Sequence, residues 1–275
     1  TTMAILPPEL IAHTIDFLHD DRDALLSCSL VSANWIHSCR YHLFSEIRLS
    51  YVPFWQRKYP GVTGLLSHLL YTLLVDVPHL AAYIHALQIV NDSPVTSWVN
   101  SEPSLPLLLS KLPTLRSLSL SYINWEILAE DRQNVLRASL AGPMLTAVDL
   151  NSCRFPSFLN LAILLSTSRR LKRLSLTGFI EPDDDVRADS IPELPLAPVT
   201  LEYLSLERGY FPSSLVAPHV AQFLDMTRLR TLVCRDNFAA VPLLFALAHT
   251  GTLERLELGG IPLSAGNAHV SSFRS

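Results

Sequence analysis

Four histidines, His13, His19, His37 and His42, fall in one N-terminal stretch, and an acidic run, Glu181-Pro182-Asp183-Asp184-Asp185, lies further along the chain. Imidazoles supply general bases and metal ligands, and clustered carboxylates hold hard cations. Neither set has a spacing that commits it to that chemistry. The histidines form no helix-borne ligand pair, and a single acidic run without convergent ligands is ordinarily a solvated loop. Cys28, Cys39, Cys153 and Cys234 are widely separated and have no paired metal spacing, so they read as small core residues in a reducing compartment. The chain carries no Gly-x-Ser-x-Gly elbow, phosphate-cradling glycine loop or His-Glu-x-x-His helix. A nucleophile and base that meet only on folding stay open, but no residue nominates itself. The expectation is therefore a protein without catalytic residues, cofactor or metal, whose chemistry is recognition.

Recognition is concentrated at the N-terminal end. Leu6-Pro7-Pro8-Glu9-Leu10-Ile11 is followed by Ile15 and Leu18, an acidic turn from Asp20 to Asp23, and Val31-Ser32-Ala33-Asn34-Trp35. Pro8 suits the first position of a helix, where a missing N–H costs nothing, and Leu10, Ile11, Thr14, Ile15 and Leu18 recur at helical spacing on one face. Asp20, with Asp23 three residues on, is placed to cap a second helix that presents Ala24, Leu25 and Cys28 to the same core. Ser32 is placed as a third cap, ahead of Trp35, Ile36, Cys39 and Leu43. A bundle below about 40 residues normally needs a disulfide, metal or partner to complete its core. The surplus apolar surface implies a partner.

This ordered pattern resembles an F-box over residues 5 to about 47. The resemblance implies docking on the Skp-type adaptor of cullin-RING ubiquitin ligases, with Leu6, Pro7, Ile11, Leu18, Leu25, Val31 and Trp35 at the matching positions. The competing reading is an ordinary three-helix cap on a repeat domain, which would not need the Leu-Pro start and the tryptophan together.

The 275 residues are 49% hydrophobic, enough for a large core in one or two domains. A formal net charge of -4 argues against nucleic acid or an anionic membrane as partner. The densest apolar run, Leu65 to Val77, is interrupted by His68 and Asp76 and falls short of the ~20 residues a membrane span needs. Thr1-Thr2-Met3-Ala4-Ile5 has no basic segment ahead of a long apolar one, so no secretory signal is expected within the sequence. Cytoplasm or nucleus is the expected location.

An internal repeat supplies the second signal. The triplet aliphatic-x-x-aliphatic-x-aliphatic occurs at Ile84/Leu87/Ile89, Leu115/Leu118/Leu120, Leu145/Val148/Leu150, Leu171/Leu174/Leu176, Leu201/Leu204/Leu206, Leu229/Leu232/Cys234 and Leu253/Leu256/Leu258. Its spacing, roughly 24 to 31 residues, resembles leucine-rich repeats. The last two aliphatics of each unit sit two apart, on one face of a strand, and the residue between them points to solvent. Stacked units would form a parallel sheet covered by helices expected at Val62 to Val75, Trp125 to Leu140, Phe158 to Thr167, Ser214 to Met226 and Val241 to Ala248. A doubly wound α/β enzyme would instead show continuous β-branched strands. The asparagine or cysteine that the family pattern places three residues after the final strand leucine is matched by Cys153 and Asn237, whereas Ile123, Phe179, Gly209 and Ile261 depart from it.

The expected fold class is thus α/β: a three-helix F-box over residues 1–48, a helical linker or cap over 49–83, and a leucine-rich-repeat solenoid over 84–275 with an incomplete final unit. The outward strand positions mix small hydroxyls with charges of both signs, among them Ser117, Ser119, Asp149, Arg173, Ser175, Ser205 and Glu257. Tyr203, Glu207, Arg235 and Arg255 are the leading target-binding candidates, because aromatic and arginine anchors more often carry interface energy. The expected function is substrate recognition for a ubiquitin ligase, with an unknown protein as target. A protein-binding scaffold without a role in ubiquitination is the alternative, and an unrecognised hydrolase is a more distant one.

Overall fold

The computed structural model describes residues 7–51, 66–91, 97–178, 198–208, 223–235 and 251–259. Three short helices open it: α1 (Pro8–Asp16), α2 (Arg22–Ser29) and α3 (Ala33–Phe44). Pro8 occupies the first turn of α1, as its missing N–H allows. The cap of α2 is Asp21 and not Asp20: its Oδ1 accepts from the Ala24 N–H at 2.9 Å, so the acidic turn caps one residue later than expected. Ser32 caps α3, accepting from the Asn34 N–H. Ile11, Ile15, Leu25, Cys39 and Leu43 form the small shared core, with Leu18, Cys28 and Trp35 packed at its margin. Leu10 and Thr14 do not join that core. Neighbours on a helix lie about 100° apart, so facing Ile11 and Ile15 inward turns both toward solvent.

Immediately after α3 the chain enters an open parallel sheet. Its eight strands are β1 (Glu46–Ser50), β2 (Ala86–Val90), β3 (Ser117–Ser121), β4 (Ala147–Asn151), β5 (Arg173–Thr177), β7 (Tyr203–Glu207), β9 (Thr231–Arg235) and β10 (Arg255–Gly259), hydrogen-bonded in chain order. Two-residue strands β6 (Val199–Thr200) and β8 (Leu224–Asp225) pair separately. Register is uniform, so that Leu87, Leu118, Val148, Leu174, Leu204 and Leu232 stack in one inward row. A second row runs through Ile89, Leu120, Leu150, Leu176, Leu206 and Cys234. These residues belong to one continuous core.

β1 extends the sheet ahead of the first recognised triplet. Phe44, Ile47 and Leu49 carry the same spacing, with an aromatic at the first place, and Leu49 is buried. The repeat also extends to backbone conformation. The residues that follow β3, β4, β5 and β7, namely Tyr122, Ser152, Gly178 and Arg208, all have φ between 49° and 63°. Each of their N–H groups donates to the carbonyl ending the next strand. Only one of the four is glycine, so the other three side chains tolerate left-handed backbone at about 1–2 kcal/mol apiece.

Helices flank the sheet between strands: α4 (Leu66–Asp76), α5 (Trp98–Ser101), α6 (Ser104–Ser110), α7 (Glu130–Leu140) and α8 (Phe158–Ser166). The expected helix Trp125 to Leu140 is broken. A 3-10 turn over Trp125–Ile127 precedes α7: Trp125 and Leu128 both bury into the core, and the backbone opens out at Leu128 and Ala129, with ψ of 132° and 145°, before the helix begins at Glu130. The Gln133 amide holds the break, donating to the carbonyls of Trp125 and Leu128. Of the helix expected over Ser214 to Met226 only the last four residues are described, and they are not helical, because Leu224–Asp225 pairs with Val199–Thr200 as strand β8. The helix expected over Val241 to Ala248, the acidic run at Asp183 and the position of Asn237 lie outside the described residues.

Candidate functional site

The three-helix unit uses one apolar face of each helix for its own core, and α1, α2 and the residues just beyond them leave further large apolar side chains outside. On α1 and just beyond it, Leu10 and Phe17 stand two turns apart, and the His13 ring meets Phe17 edge-on at 4.8 Å. On α2 and the turn that follows, Leu26 and Leu30 are one turn apart, with Val31 next. Phe17 is 74% exposed, Leu30 88% and Val31 67%, and Leu10 and Leu26 are about half exposed. Of the residues expected to dock, Pro7 and Val31 are exposed, Leu18 and Trp35 are partly buried at the core margin, and Ile11 and Leu25 are inside it. Those last two position the helices that present the surface. Leu6 lies outside the described residues. Phe17, Leu26 and Leu30 escaped the sequence reading, and Leu10, which that reading put on one face with Ile11 and Ile15, is exposed instead.

The histidines have structural partners. His42 Nε2 lies 2.8 Å from Asp16 Oδ1 and joins α3 to α1. His37 Nδ1 is 2.8 Å from the Tyr83 hydroxyl, and the Arg40 guanidinium is 2.9 Å from His79 Nε2. The latter two join α3 to the 3-10 turn Pro78–Tyr83 ahead of β2. Phe44 packs against both hydrophobic cores, and the Ser45 carbonyl accepts from the N–H groups of His85 and Ala86. The helical unit is thereby seated on the end of the sheet.

A second face lies on the outward rows of the sheet. Uniform register aligns Arg173, Tyr203, Thr231 and Arg255, and beside them Ser175, Ser205, Val233 and Glu257. Tyr203, Glu207, Arg235 and Arg255 all line one concavity of about 440 Å³, together with Arg173, Thr231, Val233 and Glu257. The sequence placed the four on outward faces, and register gathers them. Arg235 bridges Glu207 at 3.6 Å and Glu257 at 3.0 Å, and Arg255 also pairs with Glu257. Hydrogen bonds from Arg235 and Arg255 hold the Glu257 carboxyl below the usual carboxylate range. The Arg173 guanidinium lies over the Tyr203 ring, 4.5 Å from its centre.

Two strands away from Tyr203, Asp149 accepts from the Ser119 hydroxyl at 3.2 Å. Burial pushes its carboxyl above the ordinary aspartate range, against the opposing effect of hydrogen bonds from Ser119 and Ser175. Cys153 donates to the Leu120 carbonyl, and burial pushes its thiol up to about 12; burial likewise raises Cys234 to about 11. Thiols so protonated are poor nucleophiles. Among the described residues, no three His, Cys, Asp or Glu converge as a metal-ligand set, and no helix is long and apolar enough to cross a membrane.

Comparison of the chain with protein-family models and with curated proteins finds no match.

Proposed function

We propose that this chain is the substrate-recognition subunit of a cullin-RING ubiquitin ligase. Its three-helix unit is an F-box that binds a Skp-type adaptor, and its repeat sheet is a leucine-rich-repeat solenoid that binds a target protein. The observation that carries the proposal is the outer apolar surface of the helical unit, Leu10, Phe17, Leu26, Leu30 and Val31, beside a core of only five buried residues. Large apolar side chains left outside on two short helices are surface that a partner can cover. The Leu-Pro start and Trp35 give that partner its identity through the F-box resemblance. Such a subunit acts by effective concentration: holding a target's lysines near an E2 carried elsewhere in the assembly makes a chance encounter intramolecular, and this requires no catalytic group of its own. Activity of this kind belongs in the cytoplasm or nucleus, where the ligase machinery resides.

Proximity labelling in cells tests the proposal against the scaffold alternative. Proteins labelled by the parent chain should include a Skp-type adaptor and a set that accumulates on proteasome inhibition. A Phe17→Asp/Leu30→Asp variant should lose the adaptor, keep that set, and abolish its response to the inhibitor. A labelled set whose abundance ignores both the variant and the inhibitor would favour a scaffold without a role in ubiquitination.

A further inference from the structure

We infer that the concavity on β5, β7, β9 and β10 receives a carboxylate side chain from an acidic, extended segment of the target, with Arg173 as its principal anchor. The inference rests on reading this sheet face as the target-binding surface. Three arginines and two glutamates line the site, so it carries one unit of net positive charge in a chain whose formal net charge is -4. The charges are not equivalent. Glu207 and Glu257 are engaged by Arg235, and Arg255 shares Glu257. Arg173 has no carboxylate partner among the described residues, and its partner is the Tyr203 ring.

That contact suits Arg173 to the role. A guanidinium laid on an aromatic face is held flat while its N–H edge stays free, and that edge is the fork that matches a carboxylate through two parallel hydrogen bonds. Tyr203 therefore acts as a platform that lowers the ordering cost of binding. Arg173 and Arg255 occupy the same outward row three strands apart, about 14 Å at roughly 4.8 Å per strand. A second acidic side chain about four residues further along an extended segment can reach Arg255, at about 3.3 Å per residue. A basic segment has no comparable site here, because both glutamates are already neutralised.

The test uses the full chain and three labelled twelve-residue peptides, each of Gly-Ser background with four Glu, four Lys or four Gln, followed by fluorescence anisotropy. The Glu peptide should bind, should weaken as salt rises, and should bind at least about tenfold less tightly to Arg173→Ala. Tyr203→Phe, which keeps the platform, should bind like the parent, and Tyr203→Ala should weaken binding. Thermal melts and adaptor titration of each variant show whether fold and helical unit are intact. Equal binding of the Lys or Gln peptide, no binding of the Glu peptide, or full Glu-peptide binding by folded Arg173→Ala would overturn the inference. Adaptor binding with no Glu-peptide binding rejects this site alone. Glu-peptide binding by a chain that ignores the adaptor rejects the ligase reading and leaves the site standing.

Discussion

Arg40 on α3 donates to His79 Nε2 across 2.9 Å, connecting the helical unit to the turn that leads into β2. A guanidinium can only donate, so the imidazole nitrogen is the acceptor and the ring's proton sits on Nδ1. With the His37–Tyr83 contact beside it, this pair ties α3 to the turn ahead of β2. A double-mutant cycle on Arg40→Ala and His79→Ala should therefore give a coupling of about 0.5–1.5 kcal/mol in thermal or denaturant unfolding. Purely additive effects would mean that the two elements are held by Phe44 packing and backbone hydrogen bonds alone.

The inward rows make a larger demand. Leu118, Leu174 and Leu204 are almost completely buried and successive in register across β3, β5 and β7, with Val148 between the first two. Replacing any one by Ala should cost about 2–5 kcal/mol through lost burial plus a cavity. Adaptor binding by the folded fraction should survive, since the helical unit has its own core. Unchanged unfolding midpoints would contradict the burial of these side chains.

Asp149 gives a pH signature. Its carboxyl is raised in the folded protein by burial, so the native state holds the proton more tightly than the unfolded chain. Its contribution to stability is then greatest below the unfolded value near 3.8 and declines as pH rises through the folded one. Asp149→Asn keeps a hydrogen-bonding side chain beside Ser119 and removes that decline. The variant should melt no lower than the parent at pH 7, and its advantage should shrink toward pH 4. A variant markedly less stable at pH 7 would show that the charged form is favoured at this place.

Much of the sheet was legible because period-2 burial and a recurrent triplet act on every repeat alike: seven of the eight strands fall on triplets named from sequence alone. β1 was missed because Phe44 stands where the other units have an aliphatic residue, inside a stretch whose helical pattern claimed it. The break between Trp125 and α7 was missed because two buried side chains set it, and neither glycine nor proline marks it. The left-handed turns at Tyr122, Ser152 and Arg208 were hidden for the same reason. At the candidate sites, outward positions on strands could be named, but gathering Arg173, Tyr203, Arg235 and Arg255 into one concavity required the register. On the helices the sequence marked an apolar face without separating Ile11, which supports it from below, from Leu10, which is exposed.

The central claim is the adaptor interface, and calorimetric titration of the purified chain with a Skp-type adaptor from the same source tests it most directly. The parent should bind. Phe17→Ala and Leu30→Ala remove exposed side chains, so each should leave unfolding within about 0.5 kcal/mol of the parent. Central interface anchors commonly cost at least about 2 kcal/mol on truncation, so each variant should lower affinity by more than about tenfold. Failure of the parent to bind, or parent-like affinity in both folded variants, would contradict the account and make the helices a cap on the sheet.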